Sequence, residues 1–61
     1  MKTHEFIRLI KDDGWRLYEH GKKHDKYRHP TKPGTIIVPR HAAEIRSGLC
    51  YAMLKDAGIK Q

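Results

Sequence analysis

Turn-forming residues divide this chain into five short segments, and this division limits the possible folds more than any other feature. Gly14 and Gly21 permit the unusual φ angles of tight turns, and the run from Pro30 to Gly34 combines two prolines with a glycine. Pro39 adds a further break, because proline has no N–H to give to a β-sheet. The chain must therefore fold from short helices and strands that are joined by tight connections.

Apolar spacing predicts a helix at each end of the chain. The first helix should use Thr3 as its N-cap and should end at Gly14. The second should use Ser47 as its N-cap and should end at Gly58. Residues 42–44, before the second helix, could form one further helical turn. The apolar stripes consist of Phe6, Ile7, Leu9 and Ile10 in the first helix and of Leu49, Cys50, Met53 and Leu54 in the second.

Alternating side chains predict three strands between these helices, over residues 15–20, 24–29 and 35–38. Side chains on one face of a strand recur at every second residue, so each strand has an inward and an outward set. The inward sets are Trp15, Leu17 and Glu19, then Asp25, Tyr27 and His29, then Ile36 and Val38. The outward sets are Arg16, Tyr18 and His20, then His24, Lys26 and Arg28, then Thr35 and Ile37.

These elements predict a single α+β domain over residues 1–61, in the order α-β-β-β-α. Both helices would cover one face of a three-stranded antiparallel sheet, and the other face would stay open and basic. A chain this short buries only about 60% of the surface that its unfolded form exposes, so it supports one small core.

The charge and the cysteine content limit the classes of binding partner and the cellular compartment that are expected for this chain. A net charge of +6 favours a polyanionic partner, either a nucleic acid or an acidic protein. The single cysteine, Cys50, excludes an internal disulfide and is expected to be a buried structural thiol. No apolar run approaches the roughly 20 residues that span a bilayer. We therefore expect a cytoplasmic protein without a membrane partner, and the residue spacing indicates no metal site and no cofactor.

The stretch around the predicted hairpin carries the candidate chemistry. His24 and the cations of this stretch would lie together on the outward face, and the candidate RNA-binding residues are Lys22, Lys23, Lys26 and Arg28. A neutral imidazole can take the proton of an RNA 2′-hydroxyl, an imidazolium can protonate the leaving 5′-oxygen, and cations can stabilise charge on the phosphate. Position alone leaves His24 open to a second interpretation, as an ordinary solvated histidine.

The other histidines are weaker candidates. His20 and His41 could supply a second acid or base, although exposed residues without a catalytic role are more common. His29 precedes Pro30 and is expected to form structural hydrogen bonds at the turn. Tyr18 could stack on a base or simply cover the sheet.

The motifs extend nearly from end to end and together resemble those of the HicA toxins. The stretches that carry the resemblance are Asp13-Gly14-Trp15, Gly21-Lys22-Lys23-His24, Tyr27-Arg28-His29-Pro30, Thr31-Lys32-Pro33-Gly34-Thr35, Ile36-Ile37-Val38-Pro39 and Leu54-Lys55-Asp56-Ala57-Gly58-Ile59. HicA toxins are small RNA-cleaving partners of HicB antitoxins, and they have a fold like the double-stranded-RNA-binding domain.

The resemblance implies a toxin of a type II toxin–antitoxin system, an endoribonuclease that cleaves mRNA without a metal and is neutralised by a HicB-type antitoxin. The histidine that the family requires for cleavage corresponds to His24. Family members commonly carry a small polar pair before this histidine, whereas this chain has Lys22 and Lys23, so no role for a serine is carried over. The alternative is an RNA-binding module of the same fold that does not cleave RNA.

Overall fold

The computed structural model describes residues 1–59 and confirms the predicted order of elements. The elements are α1 (Thr3–Asp13), β1 (Arg16–His20), β2 (His24–Arg28), β3 (Ile36–Pro39) and α2 (Ser47–Asp56). The strands form one antiparallel sheet in the order β1-β2-β3. Over residues 1–59, no helix is long and apolar enough to cross a membrane.

The hydrophobic core lies on one side of the sheet. Trp15, at the end of α1, is fully buried, and its indole Nε1–H donates to the Ala57 carbonyl at the end of α2, at 3.2 Å. The other core residues include Phe6 and Ile10 of α1, Tyr27, Ile36 and Val38 of the sheet, and Cys50, Met53 and Leu54 of α2. Burying a large apolar side chain stabilises a fold by about 1.5–3 kcal/mol, so this single core holds the helices on one face of the sheet.

Neither predicted N-cap is observed. Thr3 and Ser47 are the first residues inside their helices, and the cap positions are Lys2 and Arg46, which form no side-chain cap. The hydroxyl of Thr3 instead donates to the Ala42 carbonyl at 2.7 Å. Thr3 is buried because it connects α1 to the segment that precedes α2.

This preceding segment contains bends and one bridge but no helix, so the predicted helical turn at residues 42–44 is wrong. Glu44 forms an isolated antiparallel bridge with Lys2. The Thr3 amide donates to Ala43 O at 3.0 Å, and the Ile45 amide donates to Met1 O at 2.8 Å. The backbone groups of the segment are thus satisfied by the N-terminus rather than by a local helix. Ile45 joins the core at 3% exposure.

A β-bulge in β1 reverses the predicted faces of its last two residues. The register pairs Leu17 with Tyr27 but Glu19 with Lys26, so Tyr18 is the extra residue of the bulge. Glu19 therefore shares the outward face with Lys26, and His20 shares the inward face with its partner Asp25. Leu17 is oriented as predicted yet 47% exposed, because β1 is an edge strand.

His29 fixes the turn between β2 and β3, as predicted. Its Nδ1 accepts hydrogen bonds from the amides of Thr31 and Lys32, both at 3.1 Å. The proton therefore resides on Nε2, which donates to the Asp13 carbonyl at the end of α1, at 2.7 Å. The Lys32 ammonium also contacts the Asp13 carboxylate, and this hydrogen bond holds the pKa of Asp13 below its ordinary value.

Replacing Gly14 with alanine should destabilise the fold more than the same change at Gly34. Both glycines have positive φ, 115° and 88°, so each substitution costs about 1–2 kcal/mol of backbone strain. A Cβ at Gly14 would also lie 2.7 Å from His29 Nε2, whereas a Cβ at Gly34 would meet no atom within 4 Å. Thermal unfolding of the two variants measures the difference. Equal losses of melting temperature would contradict the structural role of His29.

Candidate functional site

His24 begins β2 on the open face of the sheet. It lies opposite Pro39 in β3, and its side chain is exposed. Lys26 and Arg28 follow on the same face, since they lie two and four residues further along the strand. The structure thus brings the predicted histidine and these two cations onto one surface.

The tip of the β1–β2 hairpin consists of Lys22 and Lys23. The Gly21 amide donates to the His24 carbonyl at 2.9 Å and closes the turn. A Cβ at Gly21 would lie only 2.5 Å from that carbonyl oxygen, so a glycine is needed here for space, not for a positive φ. Both lysines directly precede His24 in the chain, and the tight turn keeps them close to it.

The segment after β3 supports this tip with three hydrogen-bond donors. The Arg40 amide donates to Lys23 O at 2.9 Å, and its guanidinium Nη1 donates to Gly21 O at 2.7 Å. His41 Nε2 lies 3.2 Å from Lys22 O and must be the donor, because a carbonyl only accepts. Arg40 is not among the candidate residues that the sequence pattern predicted. Its position directly after the strand that pairs with His24 is the signal that could have identified it.

The predicted RNA-binding cations differ in whether another side chain of the protein already contacts them. Lys26 Nζ lies 3.2 Å from the Glu19 carboxylate, an exposed ion pair that contributes at most about 1 kcal/mol and can exchange for a phosphate. The Arg28 guanidinium lies 4.9 Å from the ring centroid of Tyr18, a cation–π contact on the open face. Lys22 and Lys23 form no ion pair with any residue from 1 to 59.

The structure separates His20 from His24. His20 Nδ1 lies 2.8 Å from Asp25 Oδ1 on the inward face, although Asp25 Oδ1 has no partner with hydrogen-bond geometry in the described residues. Arg40 Nε lies 3.6 Å from the same oxygen. His20 therefore belongs with the supports of the hairpin rather than with the open face. His41, with Nε2 on Lys22 O, is likewise a support of the tip.

Metal ligands and the thiol of Cys50 are the other candidates for chemistry in the described residues. Among residues 1–59, no group of three or more His, Cys, Asp or Glu side chains could hold a metal ion. Cys50 is 5% exposed and contacts the Met1 sulfur at 3.7 Å, as expected of a structural thiol. It borders an open apolar cavity of about 130 Å³ with Met1, Ser47, Tyr51 and Leu54.

Comparison with known proteins identifies the family. A family model described as "HicA toxin of bacterial toxin-antitoxin" matches residues 3–59. No curated protein matches the sequence. Because the family match covers all five elements of the fold, this chain belongs to the HicA toxin family of bacterial toxin–antitoxin systems.

Proposed function

We propose that this toxin is an endoribonuclease that cleaves mRNA, with His24 as general acid or base and without a metal ion. The observation that carries the proposal is the placement of His24 on the open sheet face, beside the lysines of the hairpin tip. Within the described chain its imidazole forms neither a hydrogen bond nor an ion pair, unlike His20, His29 and His41. Both ring nitrogens are therefore available to a substrate.

The proposed reaction is a transesterification within the RNA strand. The 2′-oxygen loses its proton and attacks the adjacent phosphorus, the bond from phosphorus to the 5′-oxygen breaks, and that oxygen gains a proton. The products are a 2′,3′-cyclic phosphate and a free 5′-hydroxyl. The imidazole of His24 serves one of the two proton transfers, and solvent serves the other.

RNA binding would use the cations that surround His24. Lys22 and Lys23 lie at the tip, and Lys26 and Arg28 follow along β2, the central strand of the open face. Contacts of this kind go to phosphates and fix the position of the strand without reading its sequence. The Tyr18 ring, already in contact with Arg28, offers a stacking surface for an unpaired base.

Replacing His24 with alanine should abolish RNA cleavage while RNA binding and the melting temperature persist. Acid–base catalysis typically contributes about 10²–10⁴-fold, and an exposed side chain contributes little packing. The measurement is cleavage of a labelled RNA with a chelator present. His4→Ala is the matched control, because His4 is an exposed histidine on α1.

Three outcomes of this experiment would contradict the proposal. Undiminished cleavage by His24→Ala would remove His24 from the mechanism. Loss of wild-type cleavage in chelator would indicate a metal-dependent nuclease. Binding without cleavage by the wild type would indicate an RNA-binding module of this fold.

Replacing Lys22 and Lys23 together with alanine should weaken RNA binding and reduce its dependence on salt. Each lost phosphate contact lowers the slope of log K against log salt by about 0.7 for a single strand, so we expect a change of about 1.4. Lys11→Ala with Lys55→Ala is the matched control, since it removes the same charge from the two helices. Equal slopes for the two double variants would rule out a specific role of the tip.

We propose further that a HicB-type antitoxin neutralises the toxin in the cytoplasm by covering the open face. Two properties support this placement. The domain carries a net charge of +6, so an acidic partner gains from charge complementarity. The open face also exposes Tyr18 and Ile37, each 50% accessible, which a protein partner can bury.

In the complex with the antitoxin, His24 should be protected from histidine-modifying reagents while His4 stays reactive. His4 lies on α1, on the opposite side of the sheet from the open face. Mass spectrometry of the modified complex and of the free toxin measures both sites. Unchanged reactivity of His24 would show that the antitoxin acts elsewhere.

A further inference from the structure

The carbonyl groups of the hairpin tip all point toward one segment. The oxygens of Gly21, Lys22 and Lys23 accept hydrogen bonds from Arg40 or His41. The bond from the Arg40 amide to Lys23 O continues the pairing of β2 with β3 by one residue, and the side chains of Arg40 and His41 supply the donors for the other two carbonyls. The orientation of these peptide planes is therefore set by the segment after β3.

This orientation determines where the amide groups of the tip point. Every peptide bond in residues 1–59 is trans, and in a trans peptide the N–H points opposite to the carbonyl of the preceding residue. The amides of Lys22, Lys23 and His24 thus point away from Arg40. Those of Lys22 and Lys23 donate to no acceptor in the described part of the chain. The tip therefore offers free donors directly before His24 in the chain.

We propose that this tip is a phosphate-binding turn for RNA and that Arg40 is the positioning residue that holds it. This inference rests on the proposed function, because it assigns a phosphate site next to the proposed acid or base. Successive backbone N–H groups form concavities that bind anions. Donors that are fixed before the reaction stabilise charge on the phosphate without reorganisation. The Lys22 and Lys23 ammonium groups add positive charge to the same site.

The tip needs Arg40 because its own backbone does not favour the hairpin. Two-residue hairpin turns usually require positive φ angles, yet neither Lys22 nor Lys23 has one. Arg40 compensates with two hydrogen bonds, from its amide and its guanidinium. Its side chain is only 30% exposed and is held in turn by Asp25, 3.6 Å from Arg40 Nε. The turn is thereby anchored to β2 and β3 together.

The test compares Arg40→Ala and Arg40→Lys with the control Arg46→Ala. Arg46 is an exposed arginine whose side chain forms no hydrogen bond or ion pair within residues 1–59. Each protein is titrated with a 2′-O-methyl RNA oligonucleotide, which cannot be cleaved because it lacks the attacking hydroxyl. The amide proton shifts of Lys22 and Lys23 are followed by NMR. Cleavage rates of ordinary RNA are measured at saturating and limiting concentration, together with melting temperatures.

In the wild type and in Arg46→Ala, the oligonucleotide should shift the Lys22 and Lys23 amide protons downfield. In Arg40→Ala the Lys22 shift should disappear, because the guanidinium is the donor to the Gly21 carbonyl of the same peptide, whereas His41 still holds the peptide of Lys23. The saturating cleavage rate should fall by about 10²-fold, as expected for a misplaced reactive group. The half-saturating RNA concentration should rise less than threefold, since the lysines still attract RNA. Arg40→Lys should give intermediate values, because lysine lacks the forked donors of arginine. If Arg40→Ala does not fold, the amide shifts and cleavage rate of Arg40→Lys decide whether Arg40 positions the tip.

The inference is overturned if the two amides do not respond to the oligonucleotide in the wild type, or if the Lys22 amide responds equally in Arg40→Ala. It is also overturned if the cleavage rate of Arg40→Ala falls only in proportion to the fraction of protein that is folded. If the wild type does not cleave RNA, the proposed function has failed. The amide shifts alone then decide whether the tip binds phosphate.

Discussion

The burial of Trp15 is the interaction on which the rest of the fold depends. Its indole lies where α1 ends and β1 begins, and its Nε1–H reaches the last turn of α2 at Ala57. The His29 ring packs edge-on against the indole, with ring centroids 5.3 Å apart. Gly14 makes this arrangement possible, because its left-handed conformation turns the chain from the helix into the core. Trp15 thus connects the ends of both helices to the core beneath the sheet.

A core on one side of the sheet has a direct consequence for function. The inward packing of the sheet comes from Tyr27, Ile36 and Val38. The alternate positions of the same strands therefore lie outside the core. His24, Lys26 and Arg28 occupy such positions. Their side chains lie outside the core, so a change at these positions costs little stability, about 1 kcal/mol or less for an exposed ion pair. This separation of faces explains how so small a domain can have both a hydrophobic core and an open face with charged side chains.

Period-two and helical patterns predicted most of this arrangement, because local spacing determines which side chains share a face. The outward set on β2 and the inward set on β3 follow from alternation alone. The errors arose where distant segments interact. The bulge at Tyr18 moved His20 to the inward face, and hydrogen bonds to the N-terminus took the place of a helical turn at residues 42–44. Arg40 was overlooked for the same reason, since its hydrogen bonds reach residues about twenty positions away.

The tip of the hairpin is the place where local preference and tertiary structure disagree. Two adjacent lysines occupy a turn without the preferred φ angles, and a third cation, Arg40, supports it from behind. The turn thus concentrates positive charge in a short stretch of the chain. Such violations of local rules are expected at functional positions. RNA and an acidic antitoxin surface would each be attracted to this charge under the proposed function. Under the proposed function, both would compete for the same positive charges, so inhibition by the antitoxin would follow from the electrostatics that also attract the substrate.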